Sequence, residues 1–120
     1  MDDDDTVREV AGKILVHLGY EPGFARDGKE ALAAYTRARS AGRPFAAVIM
    51  DLTIPGGMGG KEAIQQLRQI EPEARAIVSS GYADDPIMTH YNKYGFNGVI
   101  KKPYRVNAFS RELARVLTRD

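Results

Sequence analysis

The sequence has no cysteine. Disulfides, thiolate catalysis and cysteine-ligated zinc or iron–sulfur centres are therefore excluded, and a reducing, cytoplasmic setting suits the chain. It also has no long apolar run. The longest uninterrupted stretch covers 45–50, against the roughly 20 residues a helix needs to cross a bilayer, so no membrane contact is expected of this domain. Charge of one sign is not in excess either: 17 Lys+Arg stand against 16 Asp+Glu, net +1. So even a balance gives no electrostatic footprint for nucleic acid. The chain opens on Asp2, Asp3, Asp4 and Asp5 instead of a basic and then apolar stretch, and no secretory signal is expected. What remains, 120 residues with 43% apolar and 28% charged, is the composition of one globular domain.

Apolar residues recur at helical spacing over 6–18, with Val7, Val10, Ile14 and Leu18 on one face. Asp4 or Asp5 is placed to cap this helix and Gly19 to stop it. Residues 20–26 are expected to form a weak strand, pushed towards a sheet edge by Pro22. Further helices are predicted over 29–41, 61–71, from Asp84 or Asp85 to 94, and over 106–118. A continuous apolar run at 45–50 suits a strand buried on both faces, 74–79 reads as another buried strand, and 98–101 is a short strand. Strict alternation of helix and strand argues for a parallel sheet covered on both faces, with its active crevice at the C-terminal strand ends.

That rule points to particular residues: Asp51 after the first buried strand, Ser80-Gly81 after the second, and Lys102-Pro103 after the third. With Asp2 and Asp3, they bring several carboxylates, a hydroxyl and a lysine to one crevice. Clustered carboxylates repel one another and call for a cation at neutral pH. Oxygen ligands without histidine or cysteine favour Mg²⁺ or Mn²⁺. Lys102 is placed to balance an incoming phosphoryl group, and attack on phosphorus by one carboxylate, giving an acyl phosphate, is the most economical chemistry. Lys101 is expected to point to the opposite face. His17 and His90 have no partner at ligand spacing, and Tyr91, Tyr94 and Phe96 read as core-edge residues. The glycines 56, 57, 59 and 60 match no phosphate-cradling fingerprint and read as a flexible loop beside the acceptor.

In this order, Asp2-Asp3, Asp51 within VIMDLTIPGGMGG, Ser80-Gly81 and Lys102-Pro103 resemble the receiver domain of two-component response regulators. The glycine-rich loop, with Ile54 and Gly59 where the family has Met and a second Asp, is similar to receivers of hybrid sensor histidine kinases. The resemblance implies a flavodoxin-like, doubly wound parallel sheet and a phosphorelay receiver, not an enzyme as an isolated domain. Asp51 would accept a phosphoryl group from a histidine kinase or histidine phosphotransfer domain. Asp2, Asp3, Asp51 and the Thr53 carbonyl would hold the metal. Ser80 and Lys102 would bind the phosphoryl oxygens, and a cis Lys102-Pro103 bond is expected. Val99 falls where the family has its switch aromatic, so hydroxyl–aromatic coupling is not expected. Tyr82 is expected to shield the acyl phosphate from water.

In this fold the acid pair follows a central first strand, yet only Met1 precedes Asp2. Residues 1–120 are therefore expected to be one receiver domain that is N-terminally incomplete, with a gap of roughly 10 Å and, if the strand is truly absent, a dimer or strand exchange. Two other functions fit some of the residues. A haloacid-dehalogenase-like phosphatase would use the Asp2–Thr6 run, but after Lys102 it needs an acidic pair that Glu112 and Asp120 do not supply. A non-phosphorylated receiver-like module would only bind partners.

Overall fold

The computed structural model describes residues 1–118, so Asp120 lies outside the described residues. Three strands, β1 (Val48–Asp51), β2 (Ala76–Ser80) and β3 (Gly98–Lys101), form a parallel sheet in that order. The helices are α1 (Asp5–His17), α2 (Gly28–Ser40), α3 (Gly60–Ile70), α4 (Pro86–Thr89) and α5 (Val106–Thr118), and a 3-10 turn covers Tyr91–Tyr94.

Strand alternation sorts the core into two halves. Met50, Ala76 and Val78 face α2, α3 and the buried pair Ile87 and Met88. Ile77 and Ile100 face α1 and α5, where Phe109, Leu113 and Val116 pack. All five residues of β2 are buried, as a central parallel strand with both faces covered requires. The outer side of β3 is closed by a side chain, since Val99 N–H donates to Glu112 Oε2 at 2.8 Å. This satisfies one edge donor that would otherwise remain open for pairing.

Caps set the helix starts. Asp4, not Asp5, caps α1, accepting from the N–H groups of Thr6 and Val7. Asp27 caps α2 and Asp85 caps α4, with Pro86 in its first turn.

Two expected elements differ. The helix foreseen from Asp84 or Asp85 to 94 is one α-turn, Pro86–Thr89, followed by the 3-10 turn. His90 (φ −124°, ψ 42°) leaves helical geometry between them, and Gly95 (φ 97°) ends the segment. This change of path lets Tyr91 reach the core and brings Phe96 to 2% exposure. Residues 20–25 belong to no strand, because what lies beside them is a gap. Met1 and Asp2 bridge only its mouth: the Met1 amino group donates to Ile49 O at 2.7 Å, Asp51 N–H to Met1 O at 2.9 Å, and Asp2 N–H to Ala25 O at 3.0 Å. Behind them lies a cavity of about 380 Å³ between β1 and the 20–25 segment.

Candidate functional site

All the residues singled out by the strand-end rule sit at one end of the sheet. Asp51 closes β1 in register with Ser79, and Ser80 closes β2 in register with Lys101. Lys102 is the first residue beyond β3, ahead of a cis Lys102-Pro103 bond. The turn before α1 brings Asp2 to the same end. It is fixed there by Asp4 N–H donating to Asp2 Oδ1 at 3.0 Å and by Arg8 Nη1 donating to Asp2 O at 2.8 Å.

The result is an acidic pocket with one cation in it. Single carboxylate oxygens of Asp2, Asp3 and Asp51 all lie within 4.8 Å of one another. Asp2 and Asp51 are buried at 4% and 7% exposure, while Asp3 is exposed. Lys102 Nζ lies 2.6 Å from Asp2 Oδ2 and 3.2 Å from Asp51 Oδ1. One lysine therefore offsets the charge of the pocket without saturating its oxygens. Three convergent carboxylates facing a single ammonium group suit a small hard dication.

The electrostatics reflect this crowding. Burial pushes the Asp51 carboxyl above its ordinary 3.8, Lys102 pulls it back, and Asp2 pushes it up again, for a net rise. Burial lowers Lys102, but the carboxylates of Asp2 and Asp51 outweigh it and hold the ammonium above its ordinary value. The lysine thus stays charged at neutral pH. Lys101 is exposed.

Ser80 is 6% exposed and its Oγ accepts the Tyr82 N–H at 3.0 Å, which fixes the hydroxyl oxygen at the rim. The Tyr82 ring is 77% exposed, so in this conformation it stands out in solvent and does not cover Asp51. Thr53 lies on the exposed loop two residues past Asp51. His17 and His90 are both exposed.

The glycine-rich loop differs from expectation. It is held, not loose. A Cβ at Gly59 would lie 2.4 Å from Leu52 O, and one at Gly60 3.0 Å from Asp51 O. Gly57 N–H donates to Ile54 O and Gly28 N–H to Met58 O. The start of α3 thus packs directly on the backbone that carries Asp51. Sequence reasoning also missed the supports of the site. Arg8 holds the turn of Asp2, and the Tyr104 hydroxyl, 2.7 Å from Ser79 Oγ, ties the segment after Pro103 to β2. The available signal was position alone: an arginine one turn into the helix after the acid pair, and a phenol two residues after Lys102.

The family model described as the response regulator receiver domain matches residues 1–114. The chain belongs to that family. It is a receiver domain of two-component systems with the flavodoxin-like fold. It is 33% identical over 106 residues to a response regulator receiver protein of Anaeromyxobacter sp. (strain Fw109-5), covering 88% of this chain and 42% of the relative. It is 30% identical over 117 residues to the chemotaxis protein CheY of Thermotoga maritima, covering 97% and 92% of the two chains. Among solved structures, the receiver domain of the sensor histidine kinase PA1611 from Pseudomonas aeruginosa superimposes with a TM-score of 0.85. The identity there is 23%, and the match covers 99% of this chain and 94% of that one. That structure carries a magnesium ion in its active site cleft. This receiver thus spans less than half of the first relative and nearly all of the second.

Proposed function

We propose that Asp51 is the phosphoacceptor of this receiver. A carboxylate oxygen of Asp51 attacks the phosphorus of a phosphohistidine presented by a histidine kinase or histidine phosphotransfer domain. The P–N bond breaks, its electron pair leaves with the imidazole nitrogen, and an acyl phosphate forms on Asp51. Lys102, charged and already 3.2 Å from Asp51 Oδ1, turns to the phosphoryl oxygens. Ser80, freed from Tyr82 N–H, donates its hydroxyl to another. Asp2, Asp3, Asp51 and the Thr53 carbonyl would hold Mg²⁺, or Mn²⁺ in its place. When bound, the ion neutralises charge on the phosphoryl group and the surrounding carboxylates. The domain acts as a phosphoacceptor and not as a turnover enzyme. A reducing, cytoplasmic setting suits it, and the glycine-rich loop favours a hybrid histidine kinase as the parent chain.

The observation that carries this reading is the convergence of Asp2, Asp3, Asp51 and Lys102 at one end of the sheet. The test is incubation with Mg²⁺ and acetyl phosphate, followed by peptide mass analysis. The expected product is a single phosphoryl group on Asp51, absent from Asp51→Asn. Transient modification at Asp2 with phosphate release would indicate a phosphatase instead. No modification at all would leave a module that only binds partners.

A further inference from the structure

Asp2, Asp51, Ser79 and Ser80 are all buried. Three of them have a place in the transfer chemistry. Ser79, at 0% exposure, has none. A hydroxyl buried so completely costs stability unless it is bonded, and its partner is the Tyr104 phenol, 2.7 Å away. The phenol ring is held from its other side by Phe109 of α5, edge to face with ring centroids 5.2 Å apart, and Phe109 is itself fully buried. Packing on Phe109 needs only the ring, so the informative atom is the hydroxyl.

Ser79 stands between the acceptor and the lysine. In register it lies beside Asp51 on β1 and Ile100 on β3. Its carbonyl accepts from Leu52 N–H, one residue past Asp51, at 2.9 Å, and the next carbonyl, Ser80 O, accepts from Lys102 N–H at 2.9 Å. Asp51 and Lys102 are thus hung on the same dipeptide. Past Lys102 the ladder stops. Pro103 has no N–H to give, and the chain returns to backbone bonding at the start of α5, where Phe109 N–H donates to Arg105 O. Between these points the Tyr104 hydroxyl ties the chain back to β2. We propose that Tyr104 is a positioning residue for the phosphoryl transfer: through Ser79 it holds the backbone of Lys102, so that the ammonium stays within reach of Asp51 while it exchanges partners. Lys102 Nζ lies 2.6 Å from Asp2 Oδ2 and 3.2 Å from Asp51 Oδ1. Those contacts loosen as the ammonium turns to an arriving phosphoryl group. From then on the backbone anchors define where a long, flexible side chain can reach, and small misplacements are costly to rate.

The proposal rests on the reading of Asp51 as the acceptor, and its test keeps the two apart. Tyr104→Phe, Ser79→Ala and the double variant are compared in the full chain. Either single change strands one buried hydroxyl, whereas the double change removes both partners, which is close to neutral for stability. Each protein is measured for melting temperature, for the rate of Asp51 phosphorylation by acetyl phosphate with Mg²⁺, and for NMR relaxation of Lys102 Cε in the metal-free state. Both single variants should melt lower, and the double variant should recover most of that loss. The rate should fall about five- to tenfold, the scale of one lost hydrogen bond, and stay low in the double variant, with Lys102 Cε more mobile in all three. The proposal is overturned if the double variant regains rate and Lys102 order together with melting temperature, since the bond would then serve stability alone. It is equally overturned if Tyr104→Phe leaves Lys102 mobility unchanged. If the wild-type chain takes no phosphoryl group on Asp51, the acceptor reading fails, and Lys102 relaxation alone decides whether Tyr104 holds the lysine.

Discussion

Asp51 carries opposing loads. Two unit charges 4.8 Å apart, the limit within which the oxygens of Asp2, Asp3 and Asp51 lie, repel by roughly 3 kcal/mol at an effective dielectric of 20. Lys102 returns a comparable attraction, so desolvation decides the sign, and the Asp51 carboxyl lies above its ordinary 3.8. A carboxyl raised on folding stabilises the fold in its protonated form, and that contribution is lost as pH rises through the folded-state value. Asp51→Asn is therefore expected to make the metal-free domain more stable at neutral pH, on the order of 1 kcal/mol, or about 3–6 °C in Tm for this size. The gain should shrink as pH falls towards 3.8, where the wild-type carboxyl is itself protonated. Urea denaturation of both proteins across that range checks it. A gain that persisted unchanged at low pH would show that packing, not charge, is responsible.

At the scale of elements, the strand that presents Asp51 and the helix that follows it are locked by missing side chains. Gly59 adopts ordinary backbone angles (φ −86°), so the reason for glycine there is space. The Leu52 carbonyl leaves no room for a Cβ. Gly59→Ala is expected to push the 52–60 loop outward and cost about 1–3 kcal/mol, the usual penalty of overpacking. Gly56→Ala differs: Gly56 has open space around it but φ +74°, so its cost is backbone strain with no displacement of Leu52. Thermal melts of the two variants, together with phosphorylation of Asp51 by acetyl phosphate, separate the cases. Only Gly59→Ala should slow phosphorylation strongly.

The same elements show what the sequence could and could not tell. The run 45–50 announces itself through apolar continuity, and polar residues at the strand ends mark the site; Asp51, Ser80 and Lys102 were legible for that reason. An aspartate cap at 4 or 5 was legible, since a carboxylate there can accept from free N–H groups; the structure selects Asp4, which accepts from Thr6 and Val7 N–H. A glycine that is needed for close approach looks the same in sequence as one needed for flexibility, so the held loop was not legible. Residues 20–26 have strand character, but a strand exists only with a neighbour to pair with. The 86–94 stretch has helical spacing, yet Phe96 and Tyr91 reach the core together only through the break at His90.

Across the whole molecule, the two halves of the core lie on opposite faces of a single sheet, and the acidic pocket at its end joins the start of the chain to β1 and β3. An ion that binds the folded pocket and not the unfolded chain stabilises the entire domain, by about 2.7 kcal/mol at a free concentration one hundred times its Kd. Mg²⁺ is thus expected to raise Tm in a saturable way. Asp51→Asn and Asp3→Asn should both weaken that response, but for different reasons. Asp51→Asn starts from a more stable metal-free protein, because a buried charge is gone. Asp3 is exposed, where charge pairs contribute little, so Asp3→Asn should leave the metal-free Tm nearly unchanged and lose only part of the gain from Mg²⁺. Sodium chloride at matched ionic strength should give a smaller, unsaturated shift, since buried carboxylates are poorly screened. If salt reproduced the full effect of Mg²⁺, or if Asp3→Asn kept the whole response, the three carboxylates would not be acting together on one ion.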